Sequence, residues 1–245
     1  MTLCIFILGA IFAGFIQGLT GFAFALIAMS FWVWILPPQI TAPLVVCASL
    51  WCHIISMYKE PRTFIKPSIV WVYIIAGLIG VPLGTFLLHY INADTFKLLL
   101  GIFLLIWCPL MFFNPQLHCL KDTGLKMDGL IGFLGGILGG LGGFCGAIPS
   151  AWVMLKQLPK HEQRNILRHF NFAIQLFTLI IYLFNQTINV NHLSYLWILI
   201  FAVSLPTIIG AKIFYQISEQ KFKSIVLTLL FFSGFILTLN AIFFY

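Results

Sequence analysis

Charged residues are confined to short stretches of this chain and leave long uncharged runs between them. A helix needs about 20 consecutive apolar residues to cross the hydrocarbon core of a bilayer. Every uncharged run is at least that long. The pattern therefore predicts an all-α fold, that of a polytopic integral membrane protein. The runs are residues 1–58, 67–93, 98–120, 129–155, 169–211 and 224–245.

Within these runs, six segments have the length of a single crossing. Four are simple apolar segments: Pro67–Ile91, Phe96–Phe113, His192–Tyr215 and Phe222–Phe244. Two more, Ile40–Tyr58 and His169–Phe184, are bounded by weaker polar or proline-containing turns. The two remaining stretches, Leu3–Leu36 and Met127–Leu155, are rich in glycine. Each is long for one crossing and short for two.

The glycine content predicts that both stretches are interrupted. The second one contains the sequence GFLGGILGGLGGFCGAIP over residues 132–149. Glycine in a helix interior costs about 1 kcal/mol relative to alanine, so this run would make a poor continuous helix. A break within a bilayer is tolerated where the freed backbone groups are buried in protein or line a wet cavity. A hairpin of two short helices, or a helix unwound in its middle, fits both stretches.

The same features occur twice along the chain. They predict two homologous halves of about five membrane segments each, residues 1–113 and 127–245, joined by a cytoplasmic linker at 114–126. A proline, Pro38 or Pro159, follows each glycine stretch. When the halves are aligned at one fixed offset, Gly14, Gly18 and Gly21 match Gly132, Gly136 and Gly139. A second alignment, which places Gly84 on Gly210, matches Phe96 and Lys97 with Phe222 and Lys223.

Basic residues indicate how the halves are oriented, because Lys and Arg are enriched in cytoplasmic loops. They cluster at residues 59–66, 121–126, 156–168 and 212–223. All four clusters lie inside only if each glycine stretch enters and returns, or crosses twice. The two halves then have opposite topology, with both chain termini outside. We therefore expect two inverted repeats, each containing a glycine-broken hairpin.

The broken segments predict a site for an anion. A helix that begins inside the membrane presents unpaired N–H groups and the positive end of its dipole. We expect no Asp or Glu inside the membrane segments, whereas a cation carrier usually keeps one there. The candidate substrate-binding residues are Gln17, Gly18, Thr20, Gly21 and Phe22 in the first stretch, Gly139, Gly140, Gly142 and Gly143 in the second, and Arg164, Arg168, Asn171 and Gln175 in the helix that follows.

Each candidate also has a purely structural interpretation. Glycines let helices pack closely, and a GxxxG spacing is common in membrane helices. Gln17 and Thr20 are equally suited to bonding a neighbouring helix, and Arg164 and Arg168 to anchoring a cytoplasmic helix end. Asn171 and Gln175 share a helix face with Arg168. His53 and His169 are either proton carriers or structural residues.

Composition narrows the possible functions. The chain is 61% hydrophobic and 8% charged, against about 25% charged residues in soluble domains. Its excess of 13 Lys and Arg over 6 Asp and Glu is explained by loop orientation, so we expect contact with the lipid bilayer and none with nucleic acid. The apolar N-terminus lacks a basic region and a cleavage site, so no removable signal peptide is expected.

The cysteines and histidines give no sign of a metal or cofactor. The six cysteines form no CxxC pair and are expected to be reduced, mostly buried thiols. The six histidines show no HxxxH or HExxH spacing. We therefore expect no cofactor and no enzymatic activity.

With these residues laid out, the chain resembles the sulfite exporter TauE/SafE family of bacterial membrane transporters. The resemblance rests on the duplicated GxxxGxxG segments, the prolines that follow them, Arg164 after Pro159, and the matching ends of the two halves. It implies movement of sulfur-containing or organic anions, such as sulfite, sulfoacetate or related sulfonates, across the bacterial inner membrane. One departure is that Phe22, Ala23 and Phe24 stand where the second half has Gly140 to Gly142.

The resulting hypothesis is a secondary transporter of small anions that works by alternating access. A passive anion channel and a membrane-embedded enzyme or cofactor-handling protein are the alternatives. The expected partners are a small anionic substrate and lipid, and a homodimer is possible. The sequence leaves open the anion, the direction of movement and the coupling ion.

Overall fold

A computed structural model describes residues 2–32, 35–36, 38–59, 67–87, 93–113, 124–156, 158–185 and 193–243. Within these ranges the backbone is helical apart from short turns, and it contains no strand. The all-α fold class is thereby confirmed.

Ten helices make up the described part of the chain. The first five are α1 (Thr2–Thr20), α2 (Phe24–Trp32), α3 (Pro38–Lys59), α4 (Pro67–Leu87) and α5 (Ala93–Phe113). The second five are α6 (Leu125–Gly142), α7 (Ala147–Leu155), α8 (Lys160–Phe184), α9 (Leu193–Gln216) and α10 (Glu219–Phe243).

Among the described residues, seven helices are long and apolar enough to cross a membrane, namely α1, α3, α4, α6, α8, α9 and α10. This confirms the polytopic character that the charge pattern predicted. Helices α2 and α7 have nine residues each, which is too short for a full crossing.

Each glycine-rich stretch contains a long helix, a glycine with positive φ, and a short helix. The first break lies at Gly21, whose φ is 83°, and the second at Gly143, whose φ is 80°. L-residues rarely adopt this left-handed conformation because Cβ approaches the carbonyl oxygen, whereas glycine adopts it without that clash. In both places the chain therefore leaves the helix where a residue without a side chain permits it.

The short helix that follows each break ends close to the start of the long one. In the first stretch the Trp32 indole N–H donates to the Phe6 carbonyl at 3.0 Å, and the two rings stack with centroids 4.7 Å apart. In the second stretch the Trp152 indole N–H donates to the Asp128 carboxylate at 2.9 Å. A tryptophan in each short helix thus connects it to the first turns of the preceding helix.

The closest helix packing joins one half of the chain to the other. Helix α1 packs along α9, and α6 packs along α4. On α6, Gly136 faces the Gly77 carbonyl so closely that a Cβ there would overlap it. Gly18 on α1 meets the Thr207 carbonyl of α9 in the same way. Many of the repeated glycines therefore serve close backbone approach between helices.

The third basic cluster begins in the connection after α7 and continues into α8. Lys160, Arg164 and Arg168 belong to α8, and all three side chains are buried. The expected loops at residues 59–66, 121–126 and 185–192 lie largely outside the described residues, so their side of the membrane stays a prediction. The same holds for the division into residues 1–113, 114–126 and 127–245.

The described cysteines are free thiols. Cys52, Cys108 and Cys145 are buried, Cys47 is partly buried, and Cys4 is exposed. Cys119 lies outside the described residues. The buried thiols occupy positions where cysteine acts as a small apolar side chain.

Candidate functional site

The two glycine breaks meet in the protein interior. A Cβ added to Gly146, just before α7, would lie 2.8 Å from Phe22 Cβ in the first break and 2.9 Å from Asn171 Nδ2 on α8. Gly143 packs beside Ala25 of α2 and Val45 of α3. Segments far apart in sequence therefore converge on one point, which includes predicted residues from both stretches.

A polar stripe on α8 runs past this point. It consists of Arg164, Arg168, Asn171 and Gln175, which follow one another at spacings of four, three and four residues and so share one face of the helix. Their side chains are 2%, 5%, 0% and 1% exposed, respectively. Such a buried row of polar groups inside a candidate membrane span is retained for a purpose.

Arg164 is held against both halves of the protein. Its Nη2 donates to the carbonyl of Gly18, in the last turn of α1. Its guanidinium lies 4.2 Å from the centroid of the Phe214 ring on α9, within the range of a cation–π contact. A Cβ added to Gly21 would lie 3.1 Å from Arg164 Cγ. The guanidinium thus brings a positive charge to the first break.

The neighbouring arginine is oriented by its own helix. Arg168 Nη2 donates to Asn165 Oδ1 at 2.8 Å. Asn165 lies one turn earlier on α8, so this bond holds the guanidinium along the helix.

Asn171 is one of the buried polar side chains whose hydrogen bonding is incomplete among the described residues. Its side chain is fully buried, and neither its Nδ2 nor its Oδ1 has a hydrogen-bond partner among the described residues. An unsatisfied buried polar group costs about 1–3 kcal/mol. The amide lies next to Gly146, so a polar ligand between the two breaks would satisfy it.

The first break satisfies its own backbone amides. Phe24 N–H, at the start of α2, donates to Gln17 Oε1 at 2.9 Å. Ala23 N–H and Phe22 N–H donate to Thr20 Oγ1 at 3.3 and 3.4 Å. Gln17 and Thr20 therefore cap the backbone N–H groups at and just before the start of α2. This capping role is additional to the hydrogen bond with a neighbouring helix for which the sequence suggested both residues.

The second break has no such side-chain cap. Helix α7 begins at Ala147 after Gly146, and no side chain caps it. The first N–H groups of a helix and its dipole together attract anions. The first break thus has side-chain caps and the second has none. This difference agrees with the sequence, in which Phe22, Ala23 and Phe24 stand where the second half has Gly140 to Gly142.

The remaining predicted glycines have packing roles in the structure. Gly140 faces the Val81 carbonyl of α4, which is the structural interpretation that the sequence left open. Gly139 touches Ile174 and Cys145, beside the second break, and Gly142 touches Phe144. Their participation in binding stays a prediction.

The structure adds residues that the sequence did not single out as ligands. His53 of α3 is 1% exposed, and its Nε2 lies 2.9 Å from Gln17 Nε2. Gly146 and Phe214 also belong to the site by their contacts. No short-range pattern links Gln17 to His53, 36 residues away, so the sequence carried no signal for this pair.

The expectation that the membrane segments contain no carboxylate is wrong for Asp128. This residue lies in the first turn of α6, within a candidate membrane span, and is 1% exposed. Tyr73 and Lys156 bind its carboxylate at 2.8 and 2.5 Å. The charge is buried because Lys156 neutralises it and neighbouring donors satisfy its oxygens.

Within the described part of the chain, no group of three or more His, Cys, Asp and Glu residues is placed to hold a metal ion. His89, His118 and His192 lie outside it. Of the others, His161 packs edge-on against Phe214 with ring centroids 5.0 Å apart.

The comparison with known families decides the class of the protein. The family model described as sulfite exporter TauE/SafE matches residues 6–237. The chain belongs to this family. It is therefore a member of a family of membrane transporters, and the resemblance seen in the sequence is confirmed. No curated protein and no solved structure matches the chain.

The part of this TauE/SafE protein that matches the family includes the whole site. Both breaks, the polar stripe of α8 and the Gln17–His53 pair lie between residues 6 and 237. The site thus belongs to the body of the family domain.

Proposed function

We propose that this TauE/SafE protein is a secondary transporter of small anions such as sulfite, sulfonates or related organic anions. The observation that carries the proposal is the buried, unpartnered amide of Asn171 beside the uncapped start of α7. The charge of the stripe favours an anion, because Arg164 and Arg168 supply two buried guanidinium groups.

In this proposal the anion lies between the second break and α8. The Ile148 N–H at the start of α7 and Asn171 Nδ2 donate to its oxygens, whereas the Ala147 N–H already donates to the Phe144 carbonyl at 3.1 Å. The arginines contribute charge. Phe22 bounds the site from the side of the first break, where it faces Gly146. A small oxyanion suits this arrangement, because donors approach it from several directions.

The arrangement of the helices supports two inverted repeats, each with a glycine-broken hairpin. If each helix is replaced by its counterpart in the other half, the α1–α9 contact becomes the α6–α4 contact. In the same way the α3–α9 contact becomes the α8–α4 contact. All four contacts are present. The α3–α8 and α5–α10 contacts map onto themselves. This is the relation expected of repeats that surround a shared substrate site.

The same contacts bear on how alternating access takes place. Because glycines lock α1 onto α9 and α6 onto α4, each rigid pair contains one helix from either half. We propose that these pairs move as units around the site, rather than one half of the chain against the other. The multi-pass protein is proposed to act in the bacterial inner membrane, and a homodimer stays a prediction.

Counterflow in proteoliposomes tests the function. Vesicles loaded with unlabelled sulfite, sulfoacetate, ethanesulfonate, acetate or chloride are mixed with a trace of labelled sulfite outside. A carrier concentrates the label transiently in vesicles that hold an accepted anion. Liposomes that contain the same anions but no protein are the control.

Each other outcome identifies a different function. Simple equilibration of label without overshoot, together with conductance far above carrier turnover, indicates the passive channel. Absence of sulfite, sulfonate and organic-anion flux in correctly inserted protein contradicts the proposal.

A further inference from the structure

Three groups form a continuous chain from α3 to the start of α2. His53 Nε2 lies 2.9 Å from Gln17 Nε2, and Gln17 Oε1 accepts the Phe24 N–H at 2.9 Å. All three residues are buried. The imidazole of His53 is thus connected, through one side-chain amide, to the N-terminus of the short helix at the first break.

The bonds define the protonation state of the ring. A backbone N–H only donates, so the Gln17 atom that faces Phe24 is the oxygen, and the Gln17 NH₂ group faces His53. The NH₂ group also only donates, so His53 Nε2 accepts, which requires a neutral ring with its proton on Nδ1. The described structure therefore corresponds to the unprotonated form of His53.

A second proton on the ring is incompatible with this arrangement. In the imidazolium both nitrogens donate, so His53 Nε2 and the Gln17 NH₂ group would oppose each other. Reversing the Gln17 amide restores the bond to His53, but it turns the NH₂ group towards the Phe24 N–H. Phe24 then loses its acceptor, and the start of α2 loses its cap.

We propose that His53 binds one proton together with each transported anion, and that this protonation turns the Gln17 amide and frees the start of α2. The inference rests on the proposed transport function. The proton arrives from the aqueous side to which the site is open, binds His53 Nε2, and leaves with the anion on the other side. The freed Phe24 N–H adds a donor at the first break, opposite the donors of α7.

The charges around His53 link the proton to the anion. The charged and titratable groups that face the ring are Arg164, Arg168 and His169, all on α8. Helices α1 and α2 carry no charged residue, and the lysine of α9, Lys212, is exposed. An anion in the site lowers the electrostatic cost of a third positive charge, so anion binding and protonation of His53 favour each other.

His169 provides a matched control on the same site. Its Nδ1 lies 2.8 Å from the carbonyl oxygen of Asn165, one turn earlier in its own helix. Among the described residues, no hydrogen bond joins the His169 side chain to either break. A substitution there changes a partly buried imidazole near the arginines without touching the connection to α2.

The test compares two measurements of labelled sulfite in proteoliposomes, using wild type, His53→Gln and His169→Gln. The first is counterflow at equal pH on both sides. The second is accumulation driven by an imposed pH gradient, with proton movement followed by a pH-sensitive dye inside the vesicles. Protonation of sulfite itself affects all variants alike, so differences between them report on the protein.

We expect His53→Gln to lose gradient-driven accumulation and sulfite-dependent proton movement almost completely, and counterflow to a much smaller extent. His169→Gln should keep all three. Gln17→Met, which breaks the connection but leaves the imidazole, should behave like His53→Gln, and it serves the same purpose if His53→Gln is not inserted. A merely structural role of His53 would lower counterflow and accumulation together.

Gradient-driven accumulation by His53→Gln or Gln17→Met at the wild-type level overturns the inference. So does wild-type counterflow without any response to the pH gradient, although the proposed function then stands. If wild type shows no sulfite counterflow at all, the proposed sulfite transport fails, and this coupling fails with it.

Discussion

Lys156 Nζ lies 2.5 Å from the carboxylate of Asp128, and this ion pair joins the end of α7 to the start of α6. Tyr73 of α4 and Trp152 of α7 donate to the other carboxylate oxygen at 2.8 and 2.9 Å. Three helices are thus connected at one buried charge. In the first half, Trp32 of the short helix α2 bonds a backbone carbonyl instead.

Asp128→Asn should destabilise the protein more than removal of the whole ion pair. The substitution leaves Lys156, whose side chain is 12% exposed, without its counter-ion. Breaking one side of a buried pair costs about 3 kcal/mol, so thermal unfolding in detergent, followed by tryptophan fluorescence, should begin at clearly lower temperature.

The double variant Asp128→Asn, Lys156→Met is the control for this ion pair. It removes both charges and should recover part of the loss. Equal melting temperatures for wild type and Asp128→Asn would show that the pair contributes nothing.

Gly136→Ala should separate α6 from α4. A Cβ at this position overlaps the carbonyl of Gly77, a backbone atom that cannot rotate away. Overpacking of this kind costs about 1–3 kcal/mol, and it should lower both the melting temperature and the yield of inserted protein.

Gly129→Ala on the same helix is the matched control. There the nearest atom to a new Cβ is Val72 Cγ1 at 3.6 Å, an ordinary contact. Without a clash, alanine stabilises a helix by about 1 kcal/mol over glycine, so the melting temperature should stay or rise. Identical behaviour of the two variants would contradict the packing role of Gly136.

Asn171→Leu should separate function from stability. Leucine has the same number of side-chain heavy atoms and the same branching as asparagine, and it removes a buried amide that has no partner among the described residues. Replacing an unsatisfied polar group by an apolar one is neutral or stabilising. Sulfite counterflow should nevertheless fall about tenfold or more, because a loss of 1.4 kcal/mol in ligand interaction corresponds to a factor of ten.

Thr178→Val is the control for Asn171→Leu. Thr178 lies seven residues further along α8 and is also fully buried, but its hydroxyl bonds the Ile174 carbonyl of its own helix at 2.9 Å. Its loss should leave counterflow near the wild-type rate. A stable Asn171→Leu protein with unchanged counterflow would remove Asn171 from the binding site.

The polar stripe on α8 shows what helical periodicity can predict from the sequence and what it cannot. Asn171 and Gln175 share a face with Arg168 by helical periodicity alone, and the structure has them on that face. Their burial was not contained in the pattern. It required Gly21 of the first break to pack against Arg164, 143 residues away, and Gly146 beside the second break to pack against Asn171, 25 residues away.

The glycines are a case in which the sequence pattern alone could not assign a role. Their spacing indicated either packing or binding, and only the neighbours could distinguish the two. Gly136 and Gly140 approach α4, whereas Gly146, which was not selected, lies beside Asn171. A glycine carries no side chain that would indicate its partner, so its role is defined by what comes close to it.

The amino-acid sequence by itself determined the membrane class, the interruptions at the glycines and the membership of the TauE/SafE family. These follow from hydropathy, helix propensity and motif spacing, which are local properties of the chain. Only the tertiary structure decided that Gln17 caps α2 and bonds His53, that Asp128 is buried with Lys156, and that Asn171 remains unpartnered. Those outcomes depend on which helices pack together, because hydrogen bonds and burial are made between residues that the sequence keeps far apart.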